Sequence, residues 1–170
     1  MCDYKRIIIW GWRRCISIYI NKTDTVKMLK TKFSNKIGIP KNSYLSITKS
    51  FITPKDDIKM LDENKCLFDY GIVENDIITV ISPILVYMNN IYVAKIYMDN
   101  LDTVDDLIHN LLLIGTVDNE LEFELRSDHK KCEATYTRLR NVFKSLKLRI
   151  YITYLSNTTN TQSTPDLYGT

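Results

Sequence analysis

The sequence predicts an α+β fold built twice over: two consecutive small mixed sheets, each with one packed helix, and then a flexible C-terminal tail. Three observations carry this prediction. Within residues 1–82 the apolar period switches from that of a strand to that of a helix and back. The same succession starts again after Ser82-Pro83. Beyond Leu155 the composition collapses to mostly Ser, Thr and Asn, with Leu167 and Tyr168 as its large side chains.

The elements follow in order. Lys5 to Trp10 is an apolar, β-prone run, Gly11-Trp12 marks a tight hairpin, and in Arg13 to Ile20 the residues Ile16, Ile18 and Ile20 alternate with Cys15, Ser17 and Tyr19. Val26, Leu29, Phe33 and Ile37 then fall at helical spacing, with Thr25 as N-cap and Gly38 and Pro40 as the stop. Tyr44 to Thr48 reads as a short strand with Leu45 and Ile47 inward. An irregular polar stretch, a turn at Leu67 to Ile72 and a last strand from Ile77 to Ile81 complete the first half. In the second half, Ile84 to Met88 and Ile91 to Met98 flank an Asn89-Asn90 hairpin turn. Thr103 and Asp106 form a capping-box pattern ahead of Val104, Leu107, Ile108 and Leu111. Glu120 to Arg126 places Leu121, Phe123 and Leu125 on one face, Arg138 to Val142 is turn-like, and Leu146 to Leu155 closes the unit. Strand, strand, helix, strand, irregular segment, strand is the β-grasp order. The repeat length of roughly 75 residues speaks for duplication of a whole domain rather than a solenoid unit. The expected boundaries are therefore 1–82, 83–155 and a disordered tail 156–170.

The composition is that of an ordinary globular protein, 45% apolar and 25% charged. No apolar run has the length of a membrane helix, and the first residues lack a signal-peptide layout, so a cytoplasmic protein without membrane contact is expected. The four cysteines, Cys2, Cys15, Cys66 and Cys132, have no zinc-site spacing; no metal or cofactor is expected, and reduced thiols are. A net charge of +3, split into +5 for residues 1–82 and −2 for the remainder, is too small to make nucleic acid the default partner. His109 and His129 lack a nucleophile at motif spacing, so no enzyme is expected.

Two motifs carry a family resemblance. Leu29-Lys30-Thr31-Lys32-Phe33-Ser34-Asn35-Lys36-Ile37-Gly38-Ile39-Pro40 resembles the helix and exit of ubiquitin, and Leu67-Phe68-Asp69-Tyr70-Gly71-Ile72 resembles the turn before its last strand. The whole is similar to two-domain ubiquitin-like modifiers, the interferon-induced kind and those of bacterial antiviral operons. The resemblance implies that Tyr70 braces a loop by hydrogen bonding and that Lys30 is largely buried. It also implies a choice between two functions. One is a protein modifier, conjugated to targets through Gly169 after a protease removes Thr170, with activating, conjugating and deconjugating enzymes as partners. Such enzymes thread the modifier's tail through narrow clefts, where a residue without Cβ permits close backbone approach; here a single Gly169 followed by Thr170 stands in place of a Gly-Gly ending. The other is a noncovalent adaptor or inhibitor that docks through its sheet faces. For that role Ser46 is expected at the centre of the outward patch, Ile81 and Thr79 at its flanks, and Trp12 at the hairpin tip, either as an interface anchor or with its ring folded over its own sheet edge.

Overall fold

A computed structural model describes residues 4–48, 58–118, 120, 122–127, 131–132, 136–143 and 146–155. Among the described residues eight strands form one open mixed sheet. In the first half, β1 (Lys5–Trp10) and β2 (Cys15–Ile20) make an antiparallel hairpin, α1 (Val26–Phe33) crosses the sheet, and β3 (Tyr44–Thr48) and β4 (Ile58–Met60) lead to β5, which starts at Ile77. The strand order β2-β1-β5-β3-β4, with β1 parallel to β5, is compatible with a ubiquitin-like β-grasp. Register places Ile16, Ile9, Ile78, Ile47 and Ile58 in one cross-strand row facing Val26 and Leu29 of α1. Branched side chains suit this row because they fill the pleated surface at little rotamer cost.

At the expected boundary, Ser82-Pro83, the backbone lies within one strand. β5 runs from Ile77 to Met88 as a single strand of 12 residues, twice the usual strand length. Its first part belongs to the sheet just described. Its second part pairs antiparallel with β6 (Ile91–Asp99) and parallel with β8 (Arg149–Tyr154), which β7 (Phe123–Ser127) flanks. Ile78, Val80, Ser82, Ile84 and Val86 are all buried, so one face of β5 feeds the core of both halves. Above the second part lie α2 (Val104–Leu113) and the short α3 (Leu139–Val142), through Val104, Leu107, Leu111 and Leu139.

Hydrogen bonds around the start of α1 recur around the start of α2. The Asp24 side chain accepts from Asn21 N at 2.9 Å, as Asp102 does from Asp99 N at 2.7 Å. Thr25 and Thr103 cap their helices, the second with a complete capping box to Asp106. The Asp24 and Asp102 carbonyls each accept at 2.8 Å, from Leu67 N and Leu139 N respectively. Tyr70 Oη donates to the Asp62 carbonyl at 3.0 Å and accepts from Asp62 N at 3.1 Å, the loop bracing implied by the resemblance. Lys30 is half-buried, donates to the Ser43 carbonyl at 2.8 Å and pairs with Glu63.

Other departures from the sequence reading are local. The helix expected to reach Ile37 turns π-helical over Ser34–Gly38, where Ile39 N reaches back to the Ser34 carbonyl. Part of the irregular stretch is β4. The closing strand starts at Arg149 rather than Leu146. Leu121, His129 and the tail 156–170 lie outside the described residues.

Candidate functional site

The two halves meet along β5, and the two flanks of that strand differ. On one flank β1 ends opposite Thr79 and β6 ends opposite Ile81. Asn100, fully buried, fills the step between them. Its Oδ1 accepts from Val80 N at 3.1 Å, its backbone N donates to the Val80 carbonyl at 3.2 Å, and its Nδ2 donates to the Gly11 carbonyl at 3.1 Å. The Gly11-Trp12 turn is pressed against the end of the π-helical turn. Trp12 N donates to the Gly38 carbonyl and Arg13 N to that of Ile37, which brings Gly11 so close that a Cβ there would lie 1.9 Å from the Ile37 oxygen. Trp12 Nε1 donates to Ser82 Oγ at 2.7 Å, and Ser82 Oγ lies 2.7 Å from Ser43 Oγ, a buried polar trio in which the donors find acceptors. The indole meets Phe143 edge-on at 5.7 Å, and the Arg140 guanidinium lies 4.8 Å from the Trp10 ring.

On the other flank β3 begins opposite Ile81 and β8 begins opposite Leu85, so Ser82–Ile84 has no strand partner there among the described residues. Leu85 N donates to the Leu148 carbonyl on this flank, and strand alternation turns the Pro83 nitrogen the same way. A proline in the middle of a twelve-residue strand is tolerated because its missing N–H faces a gap rather than a ladder. An open groove of about 1200 Å³ lies over the gap. Pro83 and Leu85 line it together with Pro40, Leu146 and Leu148 from both halves. Lys41, Lys95, Lys147 and Arg149 add four cations, and no carboxylate is among its described lining residues. Beside the groove Tyr44 and Tyr97 meet at 5.7 Å, while Tyr87 stacks on Tyr151 at 5.3 Å and meets Tyr92 edge-on at 5.9 Å. Burial, then the neighbouring Tyr97 and Asp99, raise the pKa of the Tyr44 phenol. At the hairpin tip burial raises the Cys15 thiol, against the opposing charge of Arg140.

The residues singled out from the sequence do not form an exposed patch. Ser46, Thr79 and Ile81 are 0%, 1% and 9% exposed, and Trp12 is 5% exposed. Ser46 and Thr79 do point away from α1, as their parity requires, but these short side chains sit in a row between Lys59 and Trp10, below the level of their larger neighbours. Thr79 Oγ1 has no hydrogen-bond partner. Ile81 is flanked by Tyr44 and Asp99. Trp12 is neither a free anchor nor folded over its own sheet edge; it is a core residue joining the two halves. Gly169 and Thr170 lie outside the described residues. Sequence reasoning missed Asn100 and the four groove cations, which come from three segments far apart in the chain: Lys41, Lys95, and Lys147 with Arg149. One signal was available: the alternation Ile78, Val80, Ser82, Ile84, Val86 continues unbroken through Pro83.

Among the described residues no three His, Cys, Asp or Glu side chains are grouped as metal ligands would be, and no helix is long and apolar enough to cross a membrane. Neither a family model nor a curated protein matches the chain. Among solved structures it is similar to the solution structure of the C-terminal ubiquitin-like domain of mouse tubulin-specific chaperone e. The match has a TM-score of 0.39 and 19% identity, and covers 46% of this chain and 86% of that one.

Proposed function

We propose that the chain is a non-enzymatic docking protein of ubiquitin-like, tandem β-grasp construction, holding partner proteins on a surface created where its halves join. The observation that supports this reading is the groove over Pro83, which is open, partly apolar and lined by cations. A single β-grasp unit would not contain it, because its walls come from both halves. The sheet-face positions first expected to meet partners are buried, which favours the seam over the centre of the first sheet.

A second reading is a modifier conjugated through Gly169 after removal of Thr170, with activating, conjugating and deconjugating enzymes as partners. It draws on the sequence of the tail and on the ubiquitin-like resemblance. One experiment separates the two. The protein is recovered from its native cells as wild type, Gly169→Ala and Lys95→Glu, and intact masses and co-purifying proteins are compared. Docking predicts an untrimmed chain whose partners survive Gly169→Ala and are released by Lys95→Glu. Loss of Thr170, with heavier protein-linked species that vanish in Gly169→Ala, would replace docking by conjugation.

A further inference from the structure

We infer that the free edge of β2 is a homodimer interface, at which a second copy of this chain pairs antiparallel through its own β2. The inference starts from the backbone. Ile8 N donates to the Asp76 carbonyl on the β5 side of β1, and Gly11 N to the Arg14 carbonyl on the β2 side. In the antiparallel β1–β2 register, Ile16, Ile18 and Ile20 therefore turn their backbone groups to β1, and Cys15, Ser17 and Tyr19 turn theirs outward. Among the described residues no hydrogen bond reaches those outward groups.

Sheet edges are kept from pairing by brevity, charge or irregularity, and the edges at β4, β6 and β7 each show one of these. β4 has three residues, β6 carries Lys95 and a register shift at Val86/Tyr87, and β7 carries Arg126, itself bridged to Lys131. β2 has none of them: Cys15–Ile20 contains no charge and no proline, and its register is unbroken.

The edge is also complementary to itself. Pairing Ser17 with Ser17 of a second copy sets each Cys15 opposite the other copy's Tyr19, so all three outward residues exchange their backbone bonds. The same register lays Ile16 of one copy beside Ile18 of the other on the α1 face, where both are only half-buried in the single chain. A hollow of about 80 Å³ adjoins this edge, lined by Ile18, Met28, Leu29 and Phe33, and the incoming Ile16 fills it. Charge agrees at the ends. The exposed Arg14 comes opposite Ile20 of the other copy, where Asp24 lines the same hollow, and symmetry makes this pairing twice. An unrelated extended peptide could use the backbone edge but lacks this two-fold match. β2 and the Pro83 groove lie on opposite flanks of β5, so the dimer leaves both grooves open and the inference stands apart from the docking reading.

The test sizes the full chain by sedimentation velocity over a range of concentrations, as wild type, Ser17→Lys and Ser17→Cys. Wild type should reach twice the monomer mass by about 100 μM, and Ser17→Lys, which opposes two like charges at the symmetry axis, should weaken the dimer at least about tenfold. Ser17 is exposed, and far-UV circular dichroism confirms that the lysine variant is folded. Ser17→Cys gives a second arm that does not depend on it. Directly opposed residues of a hydrogen-bonded pair have Cα atoms about 5.5 Å apart, within disulfide reach, whereas the two copies of Cys15 stand about 13 Å apart. Oxidised glutathione should therefore cross-link Ser17→Cys through the substituted position, located by peptide mass, and leave wild type without a cross-link at Cys15. A wild type still monomeric at about 100 μM, a dimer unaffected by Ser17→Lys, or no cross-link at position 17 would each overturn the inference.

Discussion

Replacing Asn100 by alanine tests whether one side chain joins the two halves. In the wild type the amide supplies the acceptor for Val80 N and the donor for the Gly11 carbonyl, both at 3.1 Å and both in a site closed to water. Alanine leaves the Val80 N–H, on a fully buried residue, without an acceptor, a loss of about 1–3 kcal/mol. The orphaned carbonyl and the small void add about 1 kcal/mol more. The expected total is about 2–4 kcal/mol, a large share of the roughly 5–15 kcal/mol that stabilises a typical domain. With a urea dependence of about 2 kcal/mol per molar, the midpoint should fall by about 1–2 M. Trp10 and Trp12 flank the seam from the first half, and far-UV circular dichroism reports both halves, so the two signals should fall together if β5 couples them. Asn100→Asp is the control. It keeps the acceptor, loses the donor and buries a charge, so its carboxyl pKa rises on folding; stability is present at low pH and lost as pH rises through the folded value. A midpoint shift worth less than about 1 kcal/mol in the alanine variant, or separate fluorescence and dichroism transitions, would refute the seam argument.

Three further outcomes are expected. Gly11→Ala should cost more than about 3 kcal/mol, because its Cβ would sit 1.9 Å from the Ile37 oxygen, whereas Gly71→Ala, with nothing within 4 Å and only a φ of +72° to strain it, should cost about 1 kcal/mol; urea titration of the pair measures the contrast. Thr79→Val, which removes a buried hydroxyl lacking a partner and keeps the shape, should raise the melting temperature, by an amount equivalent to about 1 kcal/mol. Asp102 is pushed up to about 6, first by burial and then by Asp99 and Asp106, against the hydrogen bond from Asp99 N and the charge of Arg138. With the folded value above the ordinary 3.8, the stability linked to its protonation is full below about pH 3.8 and lost as pH rises through about 6. Asp102→Asn keeps an acceptor for Asp99 N, so its melting temperature should exceed that of the wild type at pH 7.5, by the equivalent of about 1 kcal/mol after allowing for solvent screening, and the gain should vanish near pH 4.

Elements with a clear period were legible in the sequence. The Ile16-Ile18-Ile20 alternation, the spacing of Val26, Leu29 and Phe33, and the Thr103/Asp106 cap each act within one element, so residues close in sequence decide them. β4 was missed because three residues cannot display a period, and the π-helical turn because Ser34–Gly38 keeps the apolar spacing of an α-helix while its hydrogen bonds widen. The candidate site was the least legible part. Parity placed Ser46 and Thr79 on the correct face, yet their burial depends on the heights of Trp10 and Lys59 in neighbouring strands, which no local pattern encodes. Lys41, Lys95, Lys147 and Arg149 converge only because β5 brings both halves to one seam. Ser82-Pro83 was read as a joint because the element pattern starts again after it; which flank its nitrogen faces is a property of the assembled sheet.

That flank also explains why one side of the seam is sealed and the other is open. From Thr79, where β1 stops, to Ile81, where β6 stops, is a step of two residues, about 7 Å along a strand. One residue that uses both its backbone and its side-chain amide can bridge that distance, and Asn100 does. From Ile81, where β3 begins, to Leu85, where β8 begins, is a step of four residues, about 13 Å. No single side chain spans it, and a strand laid there would find no donor at Pro83. The closed flank fixes the two halves against each other; the open flank keeps a groove whose walls belong to different halves and whose width follows from strand register. Register in turn is held by the buried alternation from Ile78 to Val86, since a slip of one residue would turn that apolar face to solvent. A groove of fixed width therefore follows from the same pattern that builds the core.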